Sequence, residues 1–460
     1  MDSDEGIVLN SAWQLWQGKA MYTDFVEYTT PGAGYLIYGV WNALGEPSYL
    51  SAKLTVMVLL ASSAVGLALL VQLLLRDARA GMRFTAQLAV MALWLVTSRV
   101  HSLVNYNMIS SIVAVWLLYL VVLVFAGAKS DTQGAVQKEG QKSLVVNALI
   151  GGCAGLVFLF LQTKGLALAA VSLVAVEVRR RQWLRRLVSE PLIIRYASFC
   201  IVVGAIFLWQ GGALWRSVFV LPYQINYIGN TIHEFYIGAI EGLIVLLIVG
   251  AAMYMKERVY WVLALFQLGL FASSVNLVDV AHLFVNLFPF WVALVCFLYQ
   301  VTERVKKLRW LVDGLFAVLI IGLLFMAVPE IRSNISGQSI IDDIRGEPQS
   351  FITEPAILEA EHIYVGPFSP GVYFELRKPN PFTEVNNLVL CDVACLEWMV
   401  ERFKEVEPEF ALFSYDIVEK YGYDQDNLFD SYIRGSYQYC EAGMPSGNVD
   451  MELYARDECP

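Results

Sequence analysis

The stretch MISSIVAVWLLYLVVLVFAG, residues 108–127, places no charged side chain in twenty consecutive positions. A helix rises about 1.5 Å per residue, so twenty residues reach about 30 Å, the thickness of a bilayer's hydrocarbon core. Every backbone polar group must find its partner inside such a run, and a helix is how a single segment does that in lipid. The rest of the chain has the same character. Of its 460 residues 57% are hydrophobic and 16% charged, with a mean hydropathy of +0.55, far too apolar for an ordinary soluble globule.

Further apolar runs lie on both sides of residues 108–127. They are Ser51 to Leu75, Phe84 to Ser98, Leu144 to Gln162, Leu166 to Val178, Leu192 to Gln210, Ile237 to Met255, Val259 to Ser274, Leu283 to Val301 and Trp310 to Val328. The fold class is therefore an all-α polytopic bundle of about ten membrane helices. Three runs are short, those starting at Phe84, Leu166 and Val259, and predict tilt, a kink or partial insertion. The loops fix the orientation. Arg76, Arg79 and Arg83 share one loop, and Lys129, Lys138 and Lys142 another. Arg179, Arg180, Arg181, Arg185 and Arg186 follow, then Lys256 with Arg258, then Arg304, Lys306, Lys307 and Arg309. Every second loop is basic, which assigns those loops to the cytoplasm and the protein to a plasma or inner membrane. The opposite side holds only Lys19, Arg99, Lys164 and Arg216.

Composition changes after Pro329. The tail carries 25 of the 42 acidic residues and 9 of the 32 basic ones, and no run there could span. Alternation at His362 to Val365 and Leu388 to Leu390 predicts strands, and Leu396 to Val406 predicts a helix. The expected organisation is a membrane domain over 1–328, with a first extracytoplasmic loop over 1–50, and an extracytoplasmic α+β domain over 329–460. Cys391, Cys395, Cys440 and Cys459 fall in that domain, where one or two disulfides are expected without a deducible pairing; zinc is the rival reading. Cys153, Cys200 and Cys296 lie in apolar runs. The chain opens Met1-Asp2-Ser3-Asp4-Glu5, acidic where a signal peptide is basic. An acidic start on the outer side predicts a further span ahead of Met1.

Polar residues concentrate on the outer face. The first loop holds Asp4, Glu5 and Asp24 among Trp13, Trp16, Tyr22 and Tyr28 and exits through Thr30-Pro31-Gly32. Arg99, His101, Asn105, Tyr106 and Asn107 lie between two spans, Gln162-Thr163-Lys164-Gly165 at another junction, and Asp279 with His282 at a third. Ionisable groups at the membrane are costly, which makes function the default reading. Snorkelling cations and helix caps are the structural alternative. Carboxylates with cations suit transfer on an anionic lipid: Arg and Lys hold a phosphate, and a carboxylate takes a proton from a hydroxyl. No Walker loop, HExxH or Gly-x-Ser-x-Gly motif occurs, and the acidic balance speaks against nucleic acid.

The opening, Asp4-Glu5-Gly6, then Gly18 to Phe25 and Thr30-Pro31-Gly32, resembles GT-C superfamily membrane glycosyltransferases, in the protein O-mannosyltransferase and lipid A aminoarabinose transferase branch. Asn105 to Asn107, Gln162 to Gly165 and Asp279 to His282 are also similar. The resemblance covers the membrane part, to about Val328. It implies transfer of a hexosyl or pentosyl group from a polyprenyl-phosphate donor to an extracytoplasmic hydroxyl on a lipid, glycan or protein, with inversion. By the same resemblance Asp4 is the base, with Glu5 beside it and Asp24 positioning substrate. Tyr22, Arg99, His101, Asn107, Lys164, Asp279 and His282 would bind substrate. No cofactor is expected, although some GT-C enzymes use a divalent metal that Asp4, Glu5 and Asp24 could hold. The rival readings are a secondary transporter, which needs inverted repeats not visible here, and a non-enzymatic scaffold or receptor.

Overall fold

A computed structural model describes the whole chain except residues 1–2, 99–102, 128–135, 178–189, 221–231, 276, 306–307, 309, 319–320, 323–353, 383–387, 389–390, 416–417, 419–422 and 447–448. Arg99, His101, Lys129, the Arg179 to Arg186 cluster and, of the strand expected at Leu388 to Leu390, the last two residues lie outside the described residues.

The run from Trp310 to Val328 lies partly outside the described residues; the apolar runs between Ser51 and Val301 fold as helices, and two further helices form within the expected first loop. In chain order these are α1 (Ser3–Trp16), α2 (Gly32–Leu44), α3 (Tyr49–Leu74), α4 (Ala80–Thr97), α5 (Tyr106–Gly127), α6 (Val136–Phe160), α7 (Gln162–Glu177), α8 (Glu190–Trp215), α9 (Phe235–Met255), α10 (Arg258–Ser273), α11 (Val280–Val285) and α12 (Phe288–Arg304). Among the described residues five stretches are long and apolar enough to cross a membrane: Tyr49–Leu74, Ala80–Thr97, Tyr106–Phe125, Pro191–Val220 and Phe235–Met255. Leu144–Phe160 and Arg258–Ser273 are shorter apolar helices. The protein is an integral membrane protein.

Two runs are interrupted. The Leu283 to Val301 run divides into α11 and α12 at Asn286 and Leu287, with Pro289 in the first turn of α12. Gln267 stabilises this break: its amide Nε2 donates to Asn286 O (2.8 Å) and its Oε1 accepts from Phe290 N (3.1 Å). Buried backbone freed by a helix break needs such partners at membrane depth. Within α8, Gly211 has φ 64° and ψ −159°, a conformation open to glycine because it has no Cβ.

The chain divides into two compact units. One comprises residues 1–55, 210–232 and 337–460; the other comprises 56–209 and 233–336. In the second unit, the membrane bundle, α5, α6, α7 and α10 pack in sequence, α9 lies on α10, and α12 lies on α4. In the first unit, α1 packs on α2, and Gly34 allows the approach: a Cβ there would meet Met21 Cε at 3.0 Å and Ser11 Cβ at 3.1 Å.

The tail of that unit adds α13 (Pro355–Glu359), α14 (Gly371–Glu375), α15 (Val393–Val406) and α16 (Leu428–Ser436). Its sheet contains β1 (Ile363–Gly366), β2 (Phe410–Phe413), β3 (Gln438–Ser446) and β4 (Val449–Ala455), in the order β1-β2-β4-β3. The first pair is parallel and the others antiparallel. This is an α+β domain. Apolar side chains bury both faces: Ile363, Val365, Leu412 and Leu453 on one, and Tyr364, Ala411, Phe413 and Tyr454 on the other. Disulfides join Cys391 to Cys395 and Cys440 to Cys459. The helix expected from Leu396 starts at Val393, capped by Asp392 Oδ1 accepting from Cys395 N (2.9 Å).

The tail also grips the amino-terminal segment within its unit. Trp13 Nε1 donates to Lys378 O (2.8 Å), and Trp41 stacks on Phe374 at 5.1 Å between ring centres. Lys19 Nζ donates to Asn380 O (3.0 Å), and the Arg377 guanidinium lies 4.5 Å from the Phe374 ring centre.

Candidate active site

The sequence-predicted residues fall into two groups, one in each unit. In the first unit Asp4 and Glu5 occupy the first turn of α1, where exposed backbone N–H groups and the helix dipole favour negative charge. Asp4 is half-buried. Glu5 is buried and its Oε2 accepts from the Tyr49 hydroxyl at 2.8 Å. Tyr22 is buried with a left-handed φ of 67°, its hydroxyl donating to Thr29 O (2.6 Å). Asp24 is exposed and closes a turn, Oδ2 accepting from Ala20 N (2.7 Å). Among the described residues no three His, Cys, Asp or Glu side chains gather as a metal group, so Asp4, Glu5 and Asp24 do not form one.

The sequence reading missed Glu27. It is buried, with Oε2 accepting from Ser11 Oγ (2.7 Å) and Oε1 accepting from Tyr28 N (2.9 Å), Thr29 N (3.2 Å) and Thr29 Oγ1 (3.2 Å). Burial raises its carboxyl above the ordinary glutamate range, against the opposing effect of these hydrogen bonds. The available signal was an acidic residue between Phe25 and the Thr30-Pro31 exit.

In the second unit the remaining predicted residues form one connected chain. Lys164, 1% exposed, donates from Nζ to Ser111 Oγ (2.7 Å) and to Asn107 O (3.2 Å). Asn107 Nδ2 lies 3.2 Å from His282 Nε2, and His282 Nδ1 lies 2.8 Å from Asp279 Oδ1. The carboxylate accepts, so Nδ1 carries the imidazole proton and Nε2 accepts from the Asn107 amide. Asp279 Oδ1 also caps α11 by accepting from His282 N (2.8 Å). Four residues from three separate sequence motifs thus meet as Lys164, Asn107, His282 and Asp279.

Backbone geometry sets Lys164 in place. Leu161 interrupts the helix between α6 and α7. At Gly165 a Cβ would lie 2.2 Å from Phe158 Cα and 2.4 Å from Phe158 N. The start of α7 therefore sits directly on α6 backbone, and the preceding side chain is turned into the bundle. Glu241 on α9 is the second residue the sequence reading missed. It is 9% exposed, its Oε1 has no hydrogen-bond partner among the described residues, and it lies within electrostatic range of His282 and Asp279.

The described chain thus combines a bundle of apolar helices with a small α+β tail on which the acidic amino-terminal segment packs. ArnT from Cupriavidus metallidurans, solved bound to undecaprenyl phosphate, superimposes with a TM-score of 0.56 at 14% identity, over 98% of this chain and 93% of that one. Its apo form gives 0.54 at 12% identity with the same coverage. The Archaeoglobus fulgidus oligosaccharyltransferase with zinc and sulfate gives 0.46 at 14% identity, over 98% of this chain and 69% of that one. No protein-family model and no curated protein sequence matches the chain. The chain has the GT-C fold.

Proposed function

We propose that the protein is a glycosyltransferase that moves a sugar from a polyprenyl-phosphate carrier to an acceptor hydroxyl outside the cytoplasm. The observation that carries this reading is Lys164, a buried lysine held by Ser111 and Asn107 in a fold shared with an undecaprenyl-phosphate-bound protein. A desolvated ammonium is costly without a counter-charge, and a lipid phosphate supplies one through charge-assisted hydrogen bonds.

The chemistry asks little of the protein. A polyprenyl phosphate leaves readily once its charge is held, so no strong acid is required. The acceptor oxygen attacks the anomeric carbon, the bond from that carbon to the phosphate oxygen breaks, and the phosphate departs with the electron pair. Asp4 accepts the hydroxyl proton during the attack. One displacement inverts the anomeric centre. Glu5, held by Tyr49, keeps the first turn of α1 anionic beside Asp4. The tail after Pro329 lies on the extracytoplasmic side in this reading, and the acceptor is a lipid, glycan or protein.

The test is release of lipid phosphate from a panel of polyprenyl-phosphate sugars. Asp4→Asn is expected to lower turnover by about 10² to 10⁴, the usual range for loss of a general base, with donor affinity nearly unchanged. Lys164→Ala is expected to weaken donor binding instead. Turnover near wild type in Asp4→Asn removes the base assignment, and unchanged donor affinity in Lys164→Ala removes the phosphate site.

A further inference from the structure

Glu241 is the single charged residue in α9, whose sequence is otherwise FYIGAI before it and GLIVLLIVGAAMYM after it. The helix has two faces. Ile240, Leu243, Leu246, Leu247 and Met253 are exposed, as lipid-facing side chains are, whereas Ile237, Glu241, Ile244, Ile248 and Ala252 form the buried stripe. The carboxylate thus points into the bundle, where a charge is rare unless it is used. α9 lies beside the segment before α11: a Cβ at Gly238, three residues earlier, would be in ordinary contact with Val278 Cγ1 at 3.8 Å, next to Asp279.

Three features define what Oε1 faces. Among the described residues it has no hydrogen-bond partner, whereas about nine in ten buried polar groups have one. Its ionisable neighbours are His282 and Asp279, which are engaged with each other, and Asp279 is of like sign. The buried basic side chains described in the bundle are engaged elsewhere: Lys164 donates to Ser111 and Asn107, and Arg195 to Asn147 and Ser172. A buried acceptor in that position is complemented by a ligand's hydrogen-bond donor.

We infer that Glu241 forms, with the His282–Asp279 pair, a subsite accepting a hydroxyl or ammonium group of the sugar on the lipid carrier. The inference rests on the donor reading above and narrows it. A sugar presenting a hydroxyl or amine fits this subsite, and a sugar presenting a carboxylate there is repelled.

The test uses the full chain in nanodiscs and measures dissociation constants for four probes. These are bare undecaprenyl phosphate and undecaprenyl phosphate bearing a neutral hexose, an aminosugar or a uronic acid. Wild type is expected to bind the hexose or aminosugar form more tightly than the bare lipid, and the uronic acid form no more tightly than the bare lipid. Glu241→Ala should lose about 10- to 100-fold for the favoured sugar form, the range for a hydrogen bond to a charged group, and nothing for the bare lipid. Glu241→Gln keeps an acceptor oxygen without the charge. A loss of only a few-fold in that variant identifies a hydroxyl, and a loss close to that of alanine identifies an ammonium. If Glu241→Gln and Glu241→Ala, both monodisperse, bind the sugar forms as wild type does, the subsite is refuted and the donor reading stands. If wild type binds none of the four probes, the donor reading fails first and takes the subsite with it.

Discussion

Asp24 and Glu27 lie three residues apart in one polar loop, and the fold treats them in opposite ways. Asp24 faces solvent and ties a turn through Ala20 N, while Glu27 is buried under four hydrogen bonds from Ser11, Tyr28 and Thr29. Removing Glu27 strands buried donors, each worth about 1–3 kcal/mol when unmet. Glu27→Ala is therefore expected to lower the denaturant midpoint of unfolding clearly. Glu27→Gln should fall between, because its single carbonyl oxygen cannot serve both Ser11 and the 28–29 backbone. A wild-type midpoint in Glu27→Ala would deny it this structural role. The acidic character of the loop is legible in the sequence, but the burial of each carboxylate is not. Burial depends on Ser11 arriving from α1, sixteen residues away, and a local pattern does not encode that approach. Glu241 escaped notice for a different reason: one charge in a run of twenty-one barely lowers its hydropathy, while its turn toward the bundle is a helical-phase effect.

Helices were the most legible elements, because an uncharged run of about twenty residues has few other ways to satisfy its backbone. The break between α11 and α12 was hidden, since Asn286 and Pro289 sit among Leu, Phe and Val and the break's partner, Gln267, comes from α10. Gly165 is the element-scale counterpart. Any side chain there would overlap Phe158 backbone, and the helix pair must separate to admit it. Gly165→Ala is expected to lower the melting temperature and weaken polyprenyl-phosphate binding together, by displacing Lys164; the two would be measured by thermal unfolding and equilibrium binding. In the tail, α16 carries a pH signal. Burial lifts the Asp430 carboxyl to about 6 from the ordinary 3.8, despite hydrogen bonds from the Tyr423 and Tyr415 hydroxyls. For an acid raised in this way, the stabilising protonated form is fully present below pH 3.8 and is lost as pH rises through 6. Protection of α16 amides, corrected for intrinsic exchange, should decline across that window in wild type and stay level in Asp430→Asn. Parallel curves for the two would sink the assignment.

At the scale of the molecule, alternation of basic loops gives an orientation that a labelling experiment can check. A cysteine placed beside Arg180 should react with an impermeant maleimide only from the cytoplasmic side, and one in the tail at Asp426 only from the other. Reaction of both from one side would overturn the topology. The membrane class and a separate α+β tail were readable from hydropathy and charge. That the first 55 residues cluster with the last 124 was not, because long-range pairing leaves no local trace. This clustering has a consequence for biosynthesis. The ribosome delivers α1, with Asp4 and Glu5, hundreds of residues before Trp13 can meet Phe374 and Lys378. Through most of translation the acidic helix has no tail to dock on, and a chain released before the tail is made would carry membrane helices with an unassembled first unit. Completion of the polypeptide is then itself the checkpoint at which that unit forms.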